Sequence, residues 1–316
     1  MLQSARRVIQ VLPAGALAAL LSVAAPAAAG AAPATALKAE QAEVTQWRAA
    51  RLQSLTSDTG WLSLVGLLWL KDGENSFGRD DANALVLKNP SLAGNAGSFV
   101  VKDHAVQFIA GAGAGITHRG EPVTQIAMAS DAGGEPTVVS SGSLRFFVIE
   151  RAGRLGVRVR DLDSPRRLDF RGLDYFPGST DWNISARFEP YEPARHIKII
   201  NILGMEDDAL APGALVFTRN GQQWRLDAIL ESPGDTQLFV MFQDGTSGHE
   251  TYGGGRYMEV PLPAGGTTQL DFNKAYNPPC ALNDFATCPL PPPQNRLPLR
   301  VDAGELKYSG GPEHSF

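Results

Sequence analysis

The residues best suited to hold a ligand gather in the last third of the chain: Tyr252, Arg256, Asn273, Tyr276, Asn277, Arg296 and Glu305. Arg256 follows Gly253-Gly254-Gly255, where absent side chains let a second backbone or a ligand come close. Its planar guanidinium presents paired donors that match a carboxylate or phosphate. Tyr276 and Asn277 precede Pro278-Pro279, and Asn295-Arg296 follow Pro291-Pro292-Pro293, a composition that makes shaped loops rather than strands. A polar pocket bounded by Arg256, Tyr276, Asn277 and Arg296, with Tyr252, Asn273 and Glu305 nearby, suits a small anionic or carbohydrate ligand. The same residues admit a structural reading, in which the glycines form a bulge, Arg256 pairs with an internal acid such as Glu305, and the asparagines hold loop backbone.

Two other functions fit the same stretch. A hydrolase would use Glu305 or Asp244 with Tyr252 or Tyr308 as proton-transfer groups. An envelope scaffold would associate through exposed sheet edges. Asp244, His249 and Glu250 read as a solvent-exposed hairpin tip. No nucleophile elbow, phosphate-binding loop, dinucleotide fingerprint or zinc-protease motif is present, and the histidines at 104, 118, 196, 249 and 314 are scattered, so catalytic residues stay unassigned and neither cofactor nor metal is expected. A basic cluster, Arg151, Arg154, Arg158, Arg160, Arg166 and Arg167, stands out in an acidic chain. At strand spacing Arg158 and Arg160 share a face, either as a salt-bridged exposed surface using Glu150, Asp161 and Asp163 or as an anion-binding stripe.

Residues 1–30 have a basic start at Arg6 and Arg7, an apolar stretch and small residues around Ala24–Ala29, the pattern of a cleaved export signal. Gln10 and Pro13 interrupt the apolar stretch, which argues against a retained membrane helix, and no later run is long enough to span a bilayer. The protein is therefore expected in the periplasm or secreted. Removing the signal leaves 26 of the 28 lysines and arginines against 33 acids, a formal charge of −7 that disfavours nucleic acid. Cys280 and Cys288 are the only cysteines, and an isolated pair in an oxidising compartment is expected to form a disulfide.

These side chains need a scaffold, and the pattern predicts a mainly β one. Within residues 31–58, Leu37, Val44, Trp47, Leu52 and Leu55 fall on one face of an amphipathic helix, with Arg48 and Arg51 intruding. From 59 to 165 short apolar or alternating runs, as at Leu144–Glu150 and Gly156–Arg160, predict a β-sandwich. Asp161–Asp169 reads as a connection, and residues 166–316 as a second antiparallel region of hairpins, from Arg195–Leu203 to Thr267–Asn273, carrying the Pro-rich loop. The 33 glycines and 22 prolines suit many turns.

Trp61-Leu62-Ser63-Leu64-Val65-Gly66-Leu67-Leu68-Trp69 with Phe77-Gly78-Arg79, Gly253–Tyr257 and Ala275–Cys280 resemble the bacterial family known as domain of unknown function 1684. The resemblance spans nearly the whole mature chain and implies no established activity. Gly78-Arg79, Asn83, Leu85–Leu87, Pro90-Ser91 and Arg119–Val123 resemble the opening and a later turn of a forkhead-associated β-sandwich. That likeness implies the fold and not phosphopeptide reading, since Leu92–Gly97 offers little beyond Asn95.

Overall fold

The computed structural model describes residues 34–316 apart from Pro233 and Ser315, so the expected export signal lies outside the described residues. Helix α1 covers Ala34–Thr56. Val44 and Leu55 are buried and Trp47 is half-buried, as the periodicity requires, but Leu52 is 41% exposed. The face is completed instead by Arg48 and Arg51, which with Val44 and Leu55 occupy one helical row at 44, 48, 51 and 55. Their guanidinium groups lie over aromatic rings, Arg48 4.1 Å from the Tyr175 centroid and Arg51 4.5 Å from that of Tyr276. The side chain of Leu37 lies outside the described residues.

The first β unit comprises β1 (Leu64–Trp69), β2 (Gly73–Gly78), β3 (Leu85–Val86), β4 (Gly97–Lys102), β5 (Ala105–Ala110), β6 (Thr117–His118), β7 (Glu121–Pro122), β8 (Gln125–Ala127), β9 (Val138–Ser141), β10 (Leu144–Arg151) and β11 (Arg154–Asp161). One sheet has the order β1-β11-β10-β9-β6-β7 and the other β3-β2-β4-β5-β8. Phe77, Phe99, Phe108 and Phe146 meet between them without exposure, and edge-to-face or tilted pairs join the four rings. The β10–β11 hairpin turns at Ala152-Gly153, both with positive φ, the backbone that matches strand twist in a two-residue turn. In that register Val148 and Val157 enter the core, whereas Phe147 and Arg158 pair on the opposite face, which turns towards the second unit.

The second unit comprises β12 (Asn183–Ile200), β13 (Glu206–Arg219), β14 (Gln222–Leu230), β15 (Gln237–Phe242), β16 (Arg256–Pro261) and β17 (Thr267–Asp271), ordered β16-β15-β14-β13-β12-β17 and nearly closed into a barrel. Strand β12 begins twelve residues before the expected start at Arg195. Pro190 and Pro193 hide it in the sequence; in the fold the register shifts between Pro190 and Arg195, so the prolines fall at an irregularity in the ladder. The barrel encloses its own core, including Phe217, Phe242 and Phe272.

The alternate residues of β15, Phe239 and Met241, face outwards and are roofed by the loop carrying Cys280, Ala281, Ala286 and Cys288. Here the structure corrects the disulfide: Cys280 and Cys288 are free thiols, 1% and 4% exposed. The loop is closed by other means. The Cys280 amide donates to Cys288 Sγ at 3.0 Å, Tyr257 Oη donates to the Pro289 carbonyl at 2.5 Å, and Asn283 Nδ2 reaches the carbonyls of Pro279 and Trp61. The thiols pack as small apolar groups, and burial pushes that of Cys288 up, away from the reactive thiolate. Among the described residues no helix is long and apolar enough to cross a membrane.

Candidate functional site

The seven predicted ligand residues are not brought to one pocket. Arg256, without exposure, donates to Asp244 Oδ1 at 3.2 Å, to the Val301 carbonyl at 3.1 Å and to the Ala303 carbonyl. The internal partner of Arg256 is therefore Asp244, not Glu305. Asp244 also accepts from the Val301 amide at 2.8 Å and from Thr246, so this pair clips the returning chain onto the barrel. Burial lowers the Arg256 pKa. Asn273 holds the carbonyl of Ser179 and the carboxylate of Asp271. Glu305, also without exposure, accepts from Arg51 Nε at 3.0 Å and from the Asn277 amide at 2.7 Å, while Asn277 Nδ2 donates to the Leu306 carbonyl. Both acids named for a hydrolase are thus held by arginines, and Tyr308 packs on Phe170 at 5.4 Å.

Tyr252 and Arg296 line a broad groove of about 1370 Å³ over the Gly245–Gly253 turn. Tyr252 is buried against Phe316, with ring centroids 5.0 Å apart, and Arg296 is exposed. Asp244, the buried acid of this groove, is already satisfied by the contacts above.

Tyr276 lines a smaller cleft of about 530 Å³ where helix, sandwich and barrel meet. Helix α1 contributes Trp47 and Arg51, the entry to β1 contributes Trp61, and β10 contributes Arg151. Phe239, Tyr257 and Glu259 come from the outer barrel face, with Glu231 just past β14 and with Thr287, Cys288 and Pro289 from the roofing loop. Three of the aromatics are already fixed: Tyr257 lies edge-on to Phe239 at 4.8 Å and to Tyr276 at 5.9 Å. Tyr276 Oη donates to Glu259 Oε1 at 3.1 Å, and burial pushes its pKa up.

Behind this wall sits Arg158, 4% exposed. Its Nη2 donates to Thr287 Oγ1 at 3.3 Å, its Nε has no partner among the described residues, and its guanidinium lies 5.5 Å from the Trp61 ring. Among the described residues no carboxylate pairs with it; Asp131, the acid that acts on it, is held by both terminal nitrogens of Arg151, at 2.9 and 2.7 Å. Burial first, then Arg151, draws the Arg158 pKa down to about 10. Of the rest of the basic cluster, Arg167 takes Asp58 and Arg166 lies 4.0 Å from Asp284, while Arg154 and Arg160 lie over the Trp69 and Phe147 rings with no salt bridge among the described residues; Glu150 meets His104 and Asp161 accepts from Asn89.

Sequence reasoning singled out Arg158 only as half of a stripe and missed Arg51, Arg151, Glu231, Glu259, Trp47 and Trp61 as neighbours. The one available signal was two arginines on an otherwise apolar helical face, since charge on a packed face demands a partner. In the sandwich, Asn83 spends its amide on the carbonyls of Asp80 and Gly94. Among the described residues no group of three histidine, cysteine, aspartate or glutamate side chains is placed to hold a metal.

Residues 168–306 match the family described as "Protein of unknown function (DUF1684)". The matched range holds the Gly253–Tyr257 and Ala275–Cys280 segments but ends short of the Trp61–Trp69 stretch, which precedes it. An uncharacterized protein of Haloarcula marismortui, solved by NMR in solution, is 36% identical, over 44% of this chain and 78% of that one, with a TM-score of 0.38. No curated protein matches.

Proposed function

We propose that this protein binds a small anionic ligand in the cleft between helix α1, the sandwich and the barrel, with Arg158 as its counter-ion. The observation that carries the reading is a nearly buried guanidinium with no carboxylate partner among the described residues, one hydrogen bond at 3.3 Å and an unpartnered Nε. A buried unpaired cation destabilises the empty protein, and a bound anion would relieve that cost. Aromatic side chains supply apolar walls around it, the usual composition of a small-molecule site. We take the ligand to be an envelope metabolite on the export-signal pattern of residues 1–30, and the buried Cys288 thiol, its pKa raised by burial, is compatible with an oxidising compartment.

Arg158→Met keeps the length of the side chain and removes the charge. The empty variant is expected to be more stable than the wild type, by about 1–4 kcal/mol, the range seen when buried ionic groups become apolar. It is also expected to lose the rise in melting temperature that acetate, butyrate or inorganic phosphate produces in the wild type. A variant that melts below the wild type and keeps the same anion-dependent rise overturns the reading.

A further inference from the structure

The charges left over in the cleft have both signs. Arg51 and Arg151 border it, but each is matched, to Glu305 at 3.0 Å and to Asp131 at 2.7 Å. Glu231 and Glu259 border it as well, and among the described residues neither forms a salt bridge; Glu259 has only the Tyr276 hydroxyl. The cross-strand row Ile229–Phe239–Glu259 sets the Glu259 side chain on the outer barrel face, and Glu231, two positions beyond Ile229, returns to that face. Both acids are exposed at the rim of the cleft; partial desolvation raises the Glu231 pKa, and the charges that add to the shift are Asp235 and Glu259, with no arginine among them. The acids thus stand on the barrel wall of the cleft, whereas Arg158 lies behind the opposite wall, against Trp61 and Thr287.

An anion alone would satisfy Arg158 and leave two carboxylates repelling each other and it. A cation alone would leave the guanidinium unpaired. Building on the anion reading above, we infer that the cleft takes a small zwitterion, its ammonium or quaternary amine at Glu231 and Glu259 and its anionic group at Arg158. Trp47, Trp61 and Tyr276 border the space between, where aromatic faces favour a cationic or alkyl-ammonium group. The unmatched acids also select against ligands bearing a second negative charge, which would meet like charge on the barrel wall.

Calorimetric titration with glycine betaine, γ-aminobutyrate and ε-aminocaproate, against butyrate, caproate and butylamine, tests this. At least one zwitterion is expected to bind about tenfold or more tightly than its single-charge counterparts, a difference of about 1.4 kcal/mol or more. Glu259→Gln is expected to abolish that advantage, and Glu231→Gln serves as the second variant should Glu259→Gln fail to fold. Anions that bind as tightly as the zwitterions overturn this inference and leave the anion reading standing. If neither anions nor zwitterions bind, both fall.

Discussion

At the residue scale, burial and pairing separate side chains that the sequence presents alike. Arg158 and Arg256 are both nearly buried arginines, but Arg256 has an acid and two carbonyls, and Arg158 has one threonine hydroxyl. Removing the charge is therefore predicted to have opposite effects at the two positions. Arg256→Met leaves Asp244 as an uncompensated charge without exposure and should cost about 3–5 kcal/mol, measured by urea unfolding. Adding Asp244→Leu should cost less than the sum of the single changes, because the second removes the charge stranded by the first. A loss below about 1 kcal/mol for Arg256→Met would return this arginine to the list of ligand contacts. Arg256 was legible in the sequence as an arginine beside glycines; which acid it meets was not, because Asp244 and Arg256 approach only when β15 and β16 pair.

At the element scale, helix α1 is fastened by charge as much as by apolar contact. Val44 and Leu55 are its buried apolar anchors, and between them Arg51 bonds Glu305 and the Asn277 carbonyl, the latter at 2.8 Å. Lys274 adds a pair to Glu43 at 2.5 Å. Arg51→Ala strands the Glu305 carboxylate, and we expect a loss of about 3–5 kcal/mol together with faster release of the helix by trypsin. Unchanged digestion would show that the apolar contacts alone hold the helix. The position and length of α1 followed from spacing; its contact face did not, because an arginine whose guanidinium lies over an aromatic ring counts as polar in any periodicity argument. In the same way the alternating hairpins of the sandwich were legible, while the first half of β12 was masked by prolines that tertiary pairing tolerates at an irregular register.

At the scale of the whole molecule, sandwich and barrel have separate cores, and the segment 279–289 joins them. Leu282, without exposure, packs with Leu55 of the helix and Leu62 ahead of β1, while Thr287 meets Arg158 and Asn283 meets the Trp61 carbonyl. Leu282→Ala should cost about 2–5 kcal/mol and, by loosening this joint, turn a single calorimetric transition into two. A wild type that already melts in two steps would sink the idea that the segment couples the units. The sequence by itself determined the mainly β architecture, the helix and the density of polar side chains in the closing third, because period, turn residues and proline act locally along the chain. Only the tertiary structure decided which of those side chains are internal clips, that the cysteines stay thiols, and that the cleft is shared by three elements. Each of these depends on which charges and rings meet across long separations, and that is set by strand register and packing rather than by local spacing.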